Sequence, residues 1–329
     1  MSNLITVDGG IRFGFYDEPV DNVNYIDYAL LTPMDIKVPG LLKKIMANQF
    51  HFAGIIGPDV MVGMAVVDLK YLANGFLYVY DRTAKTLVET KKIVPFGIGS
   101  NIETTARSYD SSFSAGGFNI TITSFRMMAS SPDISLDVKF TKLPEPLRLC
   151  TRSGYRGWVY MEKTSPINVL GKVTCKGQLF EISSPDSMGL MDWTAGFMRR
   201  DTYWEWAATA TTLPDGRSFG LNLCCGVNET SFTENAFWIE GARTKVDTVN
   251  FEFDSRDLYR PWKITSFDGR VNLVFTPETE RGESVNAVLI KSKFTQFMGT
   301  FDGTLKAEDG EVIEIKGLPG WAEDHYAKW

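Results

Sequence analysis

The sequence predicts an all-β protein, on three observations. Apolar and polar residues alternate with a period of two along most of the chain, Asp-Gly, Gly-Gly and Pro punctuation cuts it into strand-length pieces, and helical periodicity is scarce. Leu41-Leu42-Lys43-Lys44-Ile45-Met46-Ala47, after Pro39-Gly40, is the one short helix expected. Phe118 to Thr123 reads as a strand opened by Gly116-Gly117, and Ile134, Leu136, Val138 and Phe140 line one face of the next. Val249, Phe251 and Phe253 line another. Val271, Leu273 and Phe275 follow the hairpin signal Asp268-Gly269, and Asp309-Gly310 turns into the return strand Val312 to Ile315. A chain of 329 residues is longer than one small barrel needs. Two antiparallel β-barrels or strongly curved sheets side by side fit the length. The turn-rich Ser183-Ser184-Pro185-Asp186-Ser187 is the expected junction, giving units 1–185 and 186–329.

Composition narrows the function classes. Lys+Arg total 34 against 40 Asp+Glu, a net charge of −6 with no basic cluster, which argues against a nucleic-acid partner. No apolar run reaches the roughly 18 residues of a membrane-spanning helix. The start Met1-Ser2-Asn3-Leu4-Ile5-Thr6-Val7-Asp8 lacks a basic segment and an apolar core, so no signal peptide and a cytoplasmic location are expected. The four cysteines, Cys150, Cys175, Cys224 and Cys225, show no CxxC spacing and are expected to be reduced, small hydrophobes rather than zinc ligands. With only His51 and His325, any nucleophilic triad or multi-histidine metal site has to recruit one of these two. Asp8-Gly9-Gly10 and Phe96-Gly97-Ile98-Gly99 match no phosphate-binding pattern. Neither a metal nor a cofactor is expected.

The aromatic load, 22 Phe, 12 Tyr and 8 Trp, is concentrated where it is most informative at residues 188–208. There Trp204, Trp206 and Ala208 share one face of a strand and Tyr203, Glu205 and Ala207 the other, with Asp192, Arg199, Arg200 and Asp201 in or beside the preceding segment. Two readings stand: an aromatic-walled pocket with charged groups aimed into it, or Trp residues filling a barrel interior while Asp192 pairs with Arg199.

Met191-Asp192-Trp193-Thr194-Ala195-Gly196, Trp204-Glu205-Trp206-Ala207, Pro261-Trp262-Lys263-Ile264, Gln296-Phe297-Met298-Gly299-Thr300-Phe301-Asp302-Gly303 and Gly320-Trp321-Ala322-Glu323-Asp324-His325 together resemble the bacterial family called domain of unknown function 2804. Gln49 to Gly54, Phe76 to Asp81, Phe219 to Leu223 and Asn228-Glu229 carry the resemblance across nearly the whole chain. That family is distantly similar to carotenoid hydratases and ceramide-handling proteins built from two lipocalin-like domains. The resemblance implies two lipocalin-like β-barrels with an apolar ligand cavity in or between them. In those relatives a Trp-Met-Asp-His-x-x-Gly motif opens the second domain. Here Asp192 and Gly196 match it, and Trp193 stands in place of the histidine, so hydratase chemistry does not carry over through that residue.

Alkene protonation needs an acid and a dry aromatic cavity whose ring faces stabilise cationic character. Asp192 is the first candidate acid, and Glu323 with His325, two apart, form a carboxylate–imidazole pair. Trp193, Trp204, Trp206, Arg199, Trp238 and Tyr160 are the candidate ligand-binding residues. Glu229 and Glu234 flank a loop from which one could face the cavity, Tyr160 with Glu162 is an outside acid pair, Glu205 is disfavoured by its strand face, and His51 reads as a half-buried strand histidine. Two functions follow. One is an enzyme acting on an apolar isoprenoid, lipid or polyketide-like molecule by cofactor-free hydration, isomerisation or cyclisation. The other is a non-catalytic carrier or sensor of the same kind of molecule. Oligomeric state is left open.

Overall fold

The computed structural model describes residues 2–105, 110–227, 230, 232–287 and 290–329. The expected period-two segments form two curled antiparallel half-barrel sheets side by side, with Gly40–Met46 as the one α-helix among the described residues. The first sheet has 13 strands and ends with Gln178–Phe197; the second has 9 and begins at Asp201–Thr212. The chain therefore passes between sheets at residues 198–200. Ser183 to Ser187 lies inside the strand Gln178–Phe197, where its pairing with Gly157–Cys175 shifts register and the Ser184–Pro185 peptide bond is cis. Proline and serine interrupt the ladder there without ending the strand, because pairing resumes at Met188 on the far side.

Along the seam each sheet buries both faces. In the first, Val60, Val62, Met64 and Val66 point into the half-barrel with Trp158, Tyr160 and Trp193. Met61, Tyr78, Tyr80, Met188 and Leu190, on the opposite face, meet Trp206, Ala208, Ala210, Met298 and Trp321 of the second sheet. The second half-barrel has its own interior of Phe219, Leu221, Phe237, Trp262, Phe275, Phe297 and Phe301. Strands buried on two sides must be apolar at consecutive positions, which is why Val60–Asp68 reads VMVGMAVVD rather than alternating.

Glycine makes room along this seam. Gly63 pairs with Tyr78, and a Cβ added at Gly63 would lie 2.3 Å from the Tyr78 ring. The Tyr78 hydroxyl donates across the seam to Gln296 Oε1 at 2.7 Å. Gly63→Ala is expected to destabilise the protein by about 1–3 kcal/mol by displacing that ring. Urea unfolding reads this, and an unchanged midpoint would refute it.

Candidate functional site

The outer faces of the two sheets part to leave a cavity of about 290 Å³ lined from both sides. Period-two geometry decides which side chains enter it. On Gln178–Phe197, Asp192 and Thr194 pair with Phe52 and Phe50, and these four line the cavity; Trp193, between them, pairs with His51 and turns into the first half-barrel. On Gly157–Cys175, Met161 and Lys163 face the cavity while Tyr160 and Glu162 face the other way. In the second sheet, one cross-strand row runs Arg281, Gln296, Glu323, Trp206, Cys224 and the next runs Glu283, Phe294, His325, Trp204. Both rows line the cavity.

On the first-sheet side the chemistry centres on Lys163. Its ammonium lies 2.5 Å from Asp192 Oδ2 and 2.7 Å from Glu234 Oε2. The Thr194 hydroxyl donates to Asp192 Oδ1 at 3.1 Å. The segment carrying Glu234 is tied down by Asn222, whose amide donates to the Glu234 carbonyl at 2.9 Å and whose Oδ1 accepts from Trp206 Nε1 at 2.9 Å. Burial disfavours the charge on Lys163, but the two carboxylates outweigh it and raise its pKa. Burial also pushes Asp192 up; Lys163 pulls it back and Glu234 adds to the rise, leaving it above its ordinary value. Asp192 is the carboxyl that burial shifts toward its protonated form. It is also the reachable one: its side chain is 22% exposed, against 7% for Lys163 and 2% for Glu234.

The opposite wall is a row of ordered polar and aromatic side chains. Glu323 accepts from Trp204 Nε1 at 2.7 Å and from Gln296 Nε2 at 3.0 Å, so both its oxygens are engaged. His325 packs on Trp204 with ring centroids 4.2 Å apart and on Phe294 at 5.0 Å. Its Nε2 is 3.2 Å from the Ser292 hydroxyl and its Nδ1 3.7 Å from Glu323 Oε1. Arg281 is clasped to Glu89 by Nε at 3.0 Å and Nη2 at 2.6 Å.

Of the residues singled out in the sequence, Asp192, Glu323, His325, Trp204 and Trp206 meet at this cavity, and so does Glu234. Four of the expected ligand-binding residues do not line it. Trp193 and Tyr160 pack in the first half-barrel, Tyr160 donating to Glu162 at 2.7 Å. Trp238 is buried against Leu147, Leu149, Val159 and Met161 and donates to the Glu145 carbonyl. Arg199 donates to the Gly226 carbonyl at 2.6 Å and is not the partner of Asp192, which Lys163 is. Alternation accounts for Trp193, which follows Asp192 by one residue and so takes the other face. Glu205 accepts from the Cys225 thiol at 2.8 Å, away from the cavity. His51 is fully buried rather than half-buried, with Nδ1 2.8 Å from the Ser111 hydroxyl. Glu229 lies outside the described residues. All four cysteines are free. Sequence reasoning missed Lys163, Gln296 and Arg281. The available signal was a lysine inside the largely apolar run from Trp158 to Leu170.

No group of three or more His, Cys, Asp or Glu placed to hold a metal occurs among the described residues, and no helix is long and apolar enough to cross a membrane.

Two curled antiparallel half-barrels side by side make this a nearly all-β protein. More particularly, the family described as domain of unknown function (DUF2804) matches residues 2–329, and the chain belongs to it. No curated protein matches the sequence. Among solved structures, kievitone hydratase from Nectria haematococca is similar over 96% of this chain and 98% of its own, with 12% identity and a TM-score of 0.50. A candidate AttH protein from Nitrosomonas europaea is similar over 86% of this chain and 92% of its own, with 12% identity and a TM-score of 0.48.

Proposed function

We propose that the chain binds an apolar small molecule in the seam cavity and converts it by cofactor-free acid–base chemistry, with hydration of a carbon–carbon double bond as the reaction that suits the site best. The observation that carries this reading is a reachable, buried carboxyl with a raised pKa set among ring faces. In the forward step Asp192 gives its proton to one alkene carbon. Trp204 and Trp206 faces stabilise the cation formed at the other. Water adds there and His325, held against Trp204 and Phe294, takes the proton that leaves it. Lys163 and Glu234 hold the proton inventory of Asp192. The hydratase named among the solved structures supports the choice of hydration over isomerisation or cyclisation.

Native mass spectrometry of freshly purified protein, followed by solvent extraction, identifies the ligand, and adding it back distinguishes conversion from carriage. Asp192→Asn is expected to keep binding and to lose at least about a hundredfold in turnover. Because the raised pKa keeps Asp192 protonated at low pH, turnover in the wild type is expected to fall as pH rises through that value. Ligand returned unaltered by the wild type would make the protein a carrier. Equal turnover in Asp192→Asn would remove the acid assigned here.

A further inference from the structure

We infer that Arg281 anchors a neutral oxygen acceptor, a carbonyl or hydroxyl, on the molecule that occupies the cavity; this rests on the reading of the cavity as a ligand site. The side chain of Arg281 is 6% exposed, and the residue lines the cavity in the same cross-strand row as Gln296 and Glu323. Glu89 takes Nε and Nη2. The guanidinium carbon lies 4.1 Å from the centre of the Phe76 ring, 4.9 Å from Tyr78 and 4.9 Å from Phe294. These contacts fix the plane of the group. Its remaining nitrogen, Nη1, is buried and has no hydrogen-bond partner. A buried guanidinium donor left unmade is unfavourable, and native structures retain such donors where something else completes them. His325 Nδ1, on the neighbouring row, is a second buried nitrogen without a hydrogen bond.

The charge around Arg281 selects the kind of acceptor. Glu89 already neutralises the guanidinium, and Glu283 and Glu323 line the cavity on the adjacent and the same row. A ligand carboxylate placed at Nη1 would lie beside a guanidinium that Glu89 already neutralises and in the same row as the carboxylate of Glu323. A ketone, ester or alcohol oxygen meets only the open donor. The molecule implied is apolar over most of its surface, with a neutral oxygen that fixes which end of it faces Arg281 and hence which carbon faces Asp192.

Three probes test this by tryptophan fluorescence titration: trans-chalcone, its deoxygenated counterpart 1,3-diphenylpropene, and α-phenylcinnamate. Chalcone is expected to bind at least about tenfold more tightly than diphenylpropene, which corresponds to about 1.4 kcal/mol, and more tightly than the carboxylate. Arg281→Met is expected to erase the preference for chalcone over diphenylpropene. Arg281→Lys, which keeps a cation for Glu89 but lacks the third arm of the fork, is expected to lose most of it as well. Equal binding of chalcone and diphenylpropene by the wild type, or a preference that survives in both variants, would overturn the anchor. Tighter binding of the carboxylate would overturn the choice of a neutral oxygen. Failure of all three probes to bind would instead strike at the cavity as an apolar ligand site.

Discussion

Replacing Lys163 with Met is expected to destabilise the protein by about 3–5 kcal/mol, the usual consequence of removing one partner from a buried ion cluster. Met fills much the same volume, so the loss comes from charge rather than from a void. Without the ammonium, Asp192 and Glu234 face each other's field in a low-dielectric seam and must take up protons to be tolerated. The variant should therefore regain stability as pH falls toward the carboxyl range, the reverse of ordinary acid lability. The triple variant Lys163→Met, Asp192→Asn, Glu234→Gln, which removes every charge of the cluster, should recover most of the loss. Urea unfolding of the three proteins between pH 4 and 8 decides the matter. A single variant within about 1 kcal/mol of the wild type would mean that the cluster is not held as an ammonium between two carboxyls.

His51 should make the fold acid-labile by a comparable amount. Burial lowers its pKa from 6.5 to about 3, so the folded protein keeps the imidazole neutral where the unfolded chain protonates it. The unfolded state thus binds more protons between those two values, and stability rises with pH across that window. Above about pH 6.5 the penalty is absent; it grows as pH falls and is complete near pH 3, reaching about 4–5 kcal/mol at 1.36 kcal/mol per unit. His51→Gln keeps a hydrogen-bonding side chain for Ser111 and does not titrate. Its unfolding free energy should fall less steeply than the wild type's from pH 6.5 downward. Parallel curves for the two proteins would show that His51 titrates the same way folded and unfolded.

How much of this was legible beforehand depended on whether a strand had one buried face or two. Ile134 to Phe140 and Val271 to Phe275 face a half-barrel interior on one side and solvent on the other, so their alternation is plain in the sequence. Strands along the seam, such as Asn48–Ile56 and Val60–Asp68, carry apolar residues on both faces, and periodicity alone does not say which face is which. The same ambiguity governed the site. Asp192, Trp204, Trp206, Glu323 and His325 were recognisable as chemistry-bearing types, yet Trp193 was grouped with Asp192 although consecutive residues cannot share a strand face. Lys163 shows in the sequence only as a lysine within a largely apolar run, and its role stays hidden because its partners arrive from elsewhere. Asp192 is its neighbour across one strand pair, while Glu234 comes from the other half of the molecule. Arg281 becomes notable only when Glu89, from the first sheet, is seen to occupy two of its nitrogens and leave the third.

The cavity is framed by side chains that never touch its contents. Ile56, Met61, Met188 and Leu190 of one sheet rest on Met298 and Trp321 of the other, beyond the lining residues. They act as the spacers of a calliper whose jaws are the two sheets. Trimming or enlarging a spacer resets the gap and so the thickness of molecule admitted, with every lining residue unchanged. A lineage could in this way exchange a flat guest for a bulkier one while keeping Asp192, Lys163 and His325 where they are, so the gauge of the pocket and its chemistry are free to drift apart.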